Sequence, residues 1–313
     1  MQNLEEFKRF FQENVLPDLK RFEKVRRRFA FMAFAVVSLV ILGVYFLACL
    51  YRSLPDTFNW IVSLGVILIF GVYYFFNEYY PIDPKQMLTR KIVHFISPSL
   101  KYIPGAYIPT SEVINSQIFA YNPEFTYGEY RIKGKINNTE IDLSELYIKF
   151  RAKDTQDQDY YTNSFKGLFF IANLNHSFEH TTLILSNRSE NIYEGIRPIF
   201  HKANMPRPEI VKLNDRSFEK YFTVFSNGTP EVLNTILPAD IKQALVHYRR
   251  DNNRKLSLSF VQGKVYLALF FDDALMESTV FRSLVDLKPL EKFYDDIRFA
   301  VELTENVASH LTV

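Results

Sequence analysis

Two long apolar runs open the chain, and a regular alternation of apolar and polar positions replaces them further on. The first run, Phe29 to Tyr51, holds no charged residue. At about 1.5 Å per residue it is long enough to cross a hydrocarbon core of roughly 30 Å as a helix. The second, Phe58 to Phe76, follows the short polar link Arg52 to Thr57, and Trp60 and Tyr79-Tyr80 sit near its ends as an interfacial aromatic belt would. The pattern predicts a helical hairpin retained in the membrane, since a signal peptide would have a shorter apolar core and a small-residue cleavage site. Ahead of it, Leu4, Phe7, Phe10, Phe11 and Val15 stand at helical spacing, which predicts a short amphipathic helix.

Beyond the hairpin, prolines punctuate a connector with helices expected from Pro84 to Ile96 and from Ser111 to Phe119. From Tyr127 the period becomes about two. Tyr127–Ile136 and Glu140–Phe150, separated by Asn137-Asn138, read as a two-stranded antiparallel meander. Strands at Phe165–Ala172 and Thr181–Leu185 precede a helix expected near Ile192–Lys202. Met205-Pro206-Arg207-Pro208 marks a hinge between two halves, after which Ile210–Leu213 is a short strand. Pro238–Tyr248 reads as a helix, Leu256–Val261 and Val265–Phe271 as a hairpin turning at Gln262-Gly263, and Lys288–Val307 as a closing amphipathic helix. The expected architecture is α+β: an N-terminal transmembrane helical hairpin, then a domain of antiparallel strands and packed helices. Its segments are 1–28 (amphipathic and basic), 29–80 (hairpin), 81–126 (helical connector) and 127–313 (α+β domain, hinged near 204–209).

The 313 residues are 48% hydrophobic with a net charge of +2, an average that mixes two materials. Residues 1–28 hold eight Lys or Arg against five Asp or Glu, whereas residues 81–313 hold 28 of each. A neutral domain lacks the basic surplus of a nucleic-acid binder. Positive charges flank the hairpin before Phe29 and after Tyr80, with only Arg52 between its helices, which directs both termini and the α+β domain to the cytoplasm. The four Asn-x-Ser/Thr sequons, at Asn137, Asn175, Asn187 and Asn227, are then chance matches. Abundant Phe and Tyr exclude a disordered chain, and the single Cys49 excludes a disulfide framework.

Candidate chemistry is sparse. His176, Glu179 and His180 spell the H-x-x-E-H string of one zinc-peptidase class, but that chemistry needs a helix, and the flanking strands predict a hairpin connection instead. Asp272 and Asp273 at a strand end are the candidate catalytic carboxylates. His94 and His247 fall on expected helices as packing or surface residues. No phosphate-cradling glycine loop or G-x-S-x-G elbow is present, and no cofactor is expected. Arg26, Arg27 and Arg28, with Arg249, Arg250 and Arg254, are candidate contacts for lipid headgroups.

Tyr127-x-x-Tyr130-x-x-x-Gly134, Tyr160-Tyr161, Phe165-Lys166-Gly167-Leu168-Phe169-Phe170-Ile171-Ala172-Asn173 and Phe218-Glu219-Lys220-x-Phe222-x-Val224-Phe225-Ser226 together resemble the bacterial domain-of-unknown-function family numbered thirty-one thirty-seven. The chain departs from the family pattern after Ser226, where Asn227-Gly228-Thr229-Pro230 stands. The resemblance implies a two-helix membrane hairpin with a cytoplasmic domain in the bacterial inner membrane, and a LemA-type membrane protein as neighbour or partner. It assigns no catalytic residues. The reading reached is a non-enzymatic membrane-anchored scaffold or interaction module, partnered by the bilayer and by another membrane protein. The alternatives are a membrane-proximal hydrolase and an anionic-lipid sensor.

Overall fold

A computed structural model describes residues 3–51, 55–78, 84–119, 123–137, 139–153, 159–174, 176–186, 208–271 and 285–311. The chain divides into two compact units, one built on residues 5–88 and the other on 89–275 with 291–313. The first unit is helical. Helix α1 runs without a break from Leu4 to Leu50, and α2 spans Pro55–Glu78. The expected separate amphipathic segment 1–28 is therefore the first half of the same rod as the first apolar run. Its buried residues Phe7, Phe11, Val15, Leu19 and Glu23 recur every fourth position. Four residues of an α-helix overshoot a full turn by about 40°. The π-helical turn Phe11–Val15 winds more slowly and holds the stripe on one face.

The second unit is one nine-stranded antiparallel sheet with its helices. In chain order the elements are α3 (Lys85–Ile96), β1 (Lys101–Ile103), α4 (Thr110–Asn115), β2 (Pro123–Ile136), β3 (Thr139–Lys153), β4 (Asp159–Asn173), β5 (Thr182–Ser186), β6 (Glu209–Val211), α5 (Arg216–Glu219), β7 (Phe222–Ser226), α6 (Pro230–Ile236), α7 (Ala239–Asn252), β8 (Leu256–Val261), β9 (Lys264–Phe270) and α8 (Lys288–Leu311). The strand order is β1-β2-β3-β4-β9-β8-β5-β7-β6. The expected meander is thus the start of a much larger sheet. Strand β5 sits between β7 and β8, so strands from both sides of the 204–209 position share one sheet.

The connector also belongs to this sheet. Strand β1 pairs with β2, and α4 stops at Asn115, short of the expected Phe119. Ile108, Val113, Ile118 and Phe119 then cap one face, over Phe165, Phe169, Leu183, Phe225 and Ala268. Helix α8 packs with the other helices: Tyr294 meets Phe95 of α3 at 5.9 Å, and Phe299 stacks on Tyr248 of α7 at 4.0 Å. Strands β5 and β8 are buried along their whole length, which is why they carry apolar residues with only small polar ones between them. The turn between β8 and β9 has positive φ at both Gln262 and Gly263, as a tight hairpin requires. The expected helix near 192–202, residues 205–207 of the expected hinge, and Asp272 and Asp273 lie outside the described residues.

Candidate functional site

The helical unit presents apolar surface outward. Phe34, Leu39, Tyr45 and Phe46 on α1, and Trp60, Ile67 and Phe70 on α2, are each more than half exposed. Such a surface is unsuited to water and suited to lipid. The two helices meet where Gly65 faces Val44: a Cβ at Gly65 would lie 2.6 Å from the Val44 Cγ2. At the other end Phe29 meets Phe76 edge to face at 6.4 Å. Toward the connecting loop the helices splay into a groove of about 800 Å³, lined by residues that include Tyr45, Cys49, Asn59 and Gly65. Both apolar spans are long enough to cross a bilayer.

The candidate lipid-binding arginines are not equivalent. Arg26 donates from Nε and Nη2 to the buried Glu23 carboxylate at 2.8 and 2.6 Å, and Arg27 Nε donates to the same group at 3.1 Å. Arg27 and Arg28 remain exposed. On the sheet unit, Arg249 is buried, Arg250 pairs with its neighbour Asp251 at 2.9 Å, and Arg254 turns inward. Arg249, Arg250 and Arg254 do not form one basic face. His94 and His247 are exposed on α3 and α7.

The His176–His180 segment connects β4 to β5, but not as the expected hairpin: β9 and β8 lie between these two strands, so the segment belongs to a connection that crosses to the other side of the β8–β9 pair. His176 and Glu179 are exposed, Phe178 inserts inward against Phe260 at 5.4 Å, and His180 lies against Gly228. Without a helical turn the two imidazoles are not aligned as zinc ligands. Among the described residues, no group of three or more His, Cys, Asp or Glu side chains converges as a metal site would need.

Long-range pairing instead places polar groups that the sequence pattern did not single out. Asp296 on α8 is 1% exposed at its side chain. It accepts hydrogen bonds from the Tyr248 hydroxyl at 2.6 Å and from Arg254, whose guanidinium lies 4.1 Å above the Phe271 ring. Burial, outweighing the pull of Arg254, raises the Asp296 carboxyl, and burial with the neighbouring carboxylate raises the Tyr248 hydroxyl well above its ordinary value. A second cluster joins Lys264 to both Glu112 oxygens at 2.8 and 2.9 Å, with Tyr266 donating to the same carboxylate at 3.0 Å. Arg131 grips Asp142 in a third, two-bonded pair. The first two join elements distant in sequence, α8 to the α7–β8 link and α4 to β9, while the third ties the neighbouring strands β2 and β3; each carboxylate is occupied by its cation. Their evident role is to fix the fold.

The motif segments have the same character. Gly167 lies where β4 passes β9 so closely that a Cβ there would be 1.8 Å from the Leu269 carbonyl oxygen. Phe218 and Phe222 stack at 5.0 Å, both almost fully buried, and bridge α5 to β7. Glu219 Oε1 accepts from the backbone N–H groups of Leu213 and Asn214, while Asp215 caps α5 by accepting from Ser217 and Phe218. Ser226 Oγ lies 2.9 Å from Thr182 Oγ1 and accepts from Gly228 N–H. Residues 163–308 match the family model described as "Protein of unknown function (DUF3137)". That is the family the motifs pointed to; the DUF3137 match begins within β4 and ends in α8, so it takes in the Phe165–Asn173 and Phe218–Ser226 segments, while the Tyr127–Gly134 and Tyr160-Tyr161 strings precede it. No curated protein sequence matches the chain. Among solved structures, the chain is similar to the mycobacterial trehalose monomycolate transport factor A, TtfA, at 9% identity and a TM-score of 0.33, over 70% of this chain and 97% of that one. This similarity is too low to define either fold or activity.

Proposed function

We propose that the protein is a membrane-anchored scaffold or interaction module: α1 and α2 hold it in the bacterial inner membrane, and its α+β domain works on the cytoplasmic side by binding other proteins. The observation that carries this reading is the contrast between the two units. The helical unit exposes apolar side chains along both spans, while the described carboxylates Asp142, Glu112 and Asp296 of the sheet unit are each engaged by a cation. Flanking charges favour cytoplasmic termini, and family resemblance suggests a LemA-type membrane protein as partner.

Alkaline carbonate extraction of native membranes, followed by protease treatment of intact and opened spheroplasts, tests the anchor and its orientation. The protein should stay in the pellet and be cleaved only after opening. Release by carbonate would remove the anchor reading, and cleavage in intact spheroplasts would reverse the orientation. Affinity capture from solubilised membranes tests the module: recovery of no specific membrane-protein partner would defeat the scaffold reading.

A further inference from the structure

The sheet unit carries an aromatic and basic patch at the open part of its β2 edge. Strand β1 pairs only with Arg131–Lys133, which leaves Pro123–Tyr127 with β3 on one side and no strand on the other among the described residues. Register sets Phe125 opposite Lys149, Tyr127 opposite Tyr147, and Tyr147 opposite Lys166, so these five side chains share one face, with Glu129 at its margin accepting from the Tyr127 hydroxyl at 3.0 Å. Phe125 and Tyr127 are 57% and 58% exposed, values unusual for aromatic residues in a sheet whose other aromatics are mostly buried. Lys149 is exposed and Lys166 lies 5.2 Å above the Tyr147 ring. Neither lysine forms an ion pair with a described carboxylate, whereas Lys135 and Lys264 on the same sheet both do.

We infer that Phe125, Tyr127, Tyr147, Lys149 and Lys166 form a docking surface for an anionic bilayer. Aromatic rings seat at the headgroup boundary, and lysines reaching past them meet anionic headgroups, each favouring association about fivefold. The covalent tie to the hairpin keeps the domain at a high effective concentration of lipid, so a patch too weak to bind membranes alone suffices once tethered. The inference rests on the membrane-anchor reading. A strand from a second copy or an extended peptide could also meet this edge, but backbone pairing alone would not require lysines that have no acidic partner among the described residues beside the rings.

The test uses the full chain in nanodiscs, with a photoreactive benzoyl-phenylalanine replacing Phe125 or, as control, the outward-facing Phe46 of α1. The expected result is lipid adducts at both positions in phosphatidylglycerol discs, with the position-125 adduct falling in phosphatidylcholine discs. Lys149→Gln and Lys166→Gln should each lower it about fivefold. Adducts at position 46 but not at 125 would overturn this inference and leave the anchor standing. No lipid adduct at either position would overturn both. A covalent dimer at position 125, or lipid adducts there that do not depend on headgroup charge, would also overturn the proposed surface.

Discussion

Alanine at Gly167 probes the link between the family motif and the fold directly. The added Cβ would lie 1.8 Å from the Leu269 carbonyl oxygen and 2.9 Å from its carbon, both backbone atoms that no side-chain rotation can move. Restoring ordinary van der Waals separation requires β4 and β9 to part by about 1.5 Å, a third of the normal interstrand spacing of roughly 4.8 Å. The Phe271 N–H to Lys166 carbonyl bond, 2.8 Å long, and its neighbours in the ladder would stretch with it. Two or three such bonds at about 1 kcal/mol each, with about 1–3 kcal/mol for disturbed packing around Phe165 and Phe169, give an expected loss of about 3–6 kcal/mol. That is a large part of a typical domain stability of about 5–15 kcal/mol. Urea unfolding of the full chain in detergent, followed by tyrosine fluorescence, measures it. Gly43→Ala is the control, because nothing lies within 4 Å of a Cβ built there. A Gly167→Ala midpoint that matched the parent would refute the close-approach argument.

Four further outcomes follow from the structure. Asp296→Ala strands Arg254 in the interior and should cost about 3–5 kcal/mol in the same unfolding assay. Because the folded Asp296 carboxyl is raised, the folded state binds more protons between the ordinary carboxylate value and the raised one. Stability should therefore fall as pH rises through that window, and Asp296→Asn should abolish the fall; an unchanged pH profile would count against it. Asp215 is held below its ordinary value, chiefly by Ser217, so its stabilisation is present above pH 3.8 and lost as pH falls through the lowered value. Asp215→Ala should cost about 1 kcal/mol at neutral pH and little in strong acid, measured by urea midpoints at the two pH values. Gly65→Val places branched bulk against Val44 and should part the two apolar helices, lowering disulfide cross-linking between cysteines introduced at positions 41 and 69, which line the same groove, relative to the same pair with Gly65 kept. Equal yields would show that the helices do not meet there.

Local pattern carried far along this chain. Charge-free length announced both apolar helices, period-two alternation announced β2 and β3, and the Gln262-Gly263 turn announced β8 and β9, because each signal is a property of neighbouring residues. The strings around Gly167 and Phe218 also pointed to the matched family, and their fold-making role was legible in their aromatic content. Helix α6, strand β1 and the continuity of α1 from Leu4 were not foreseen. A three-residue strand has too few positions to show a period. The basic stretch Lys20–Arg28 interrupts the apolar pattern of α1 without interrupting its helix, because Lys and Arg are good helix formers.

What only tertiary structure decided was pairing. The insertion of β5 between β7 and β8, the recruitment of the connector into the sheet, and the inward turn of Arg254 toward Asp296 depend on residues between 28 and more than 70 positions apart. The same sequence signal, a run of basic residues near 249–254, is compatible with a lipid-facing patch or a buried pair. The fold chose between them by setting α8 beside α7. By contrast, the exposed Phe125 and Lys149 came from two strands that each looked ordinary alone, and became a patch only when register set them side by side. The sequence by itself determined which segments are apolar spans and which are strands; the sheet order decided which polar groups are left to meet the surroundings.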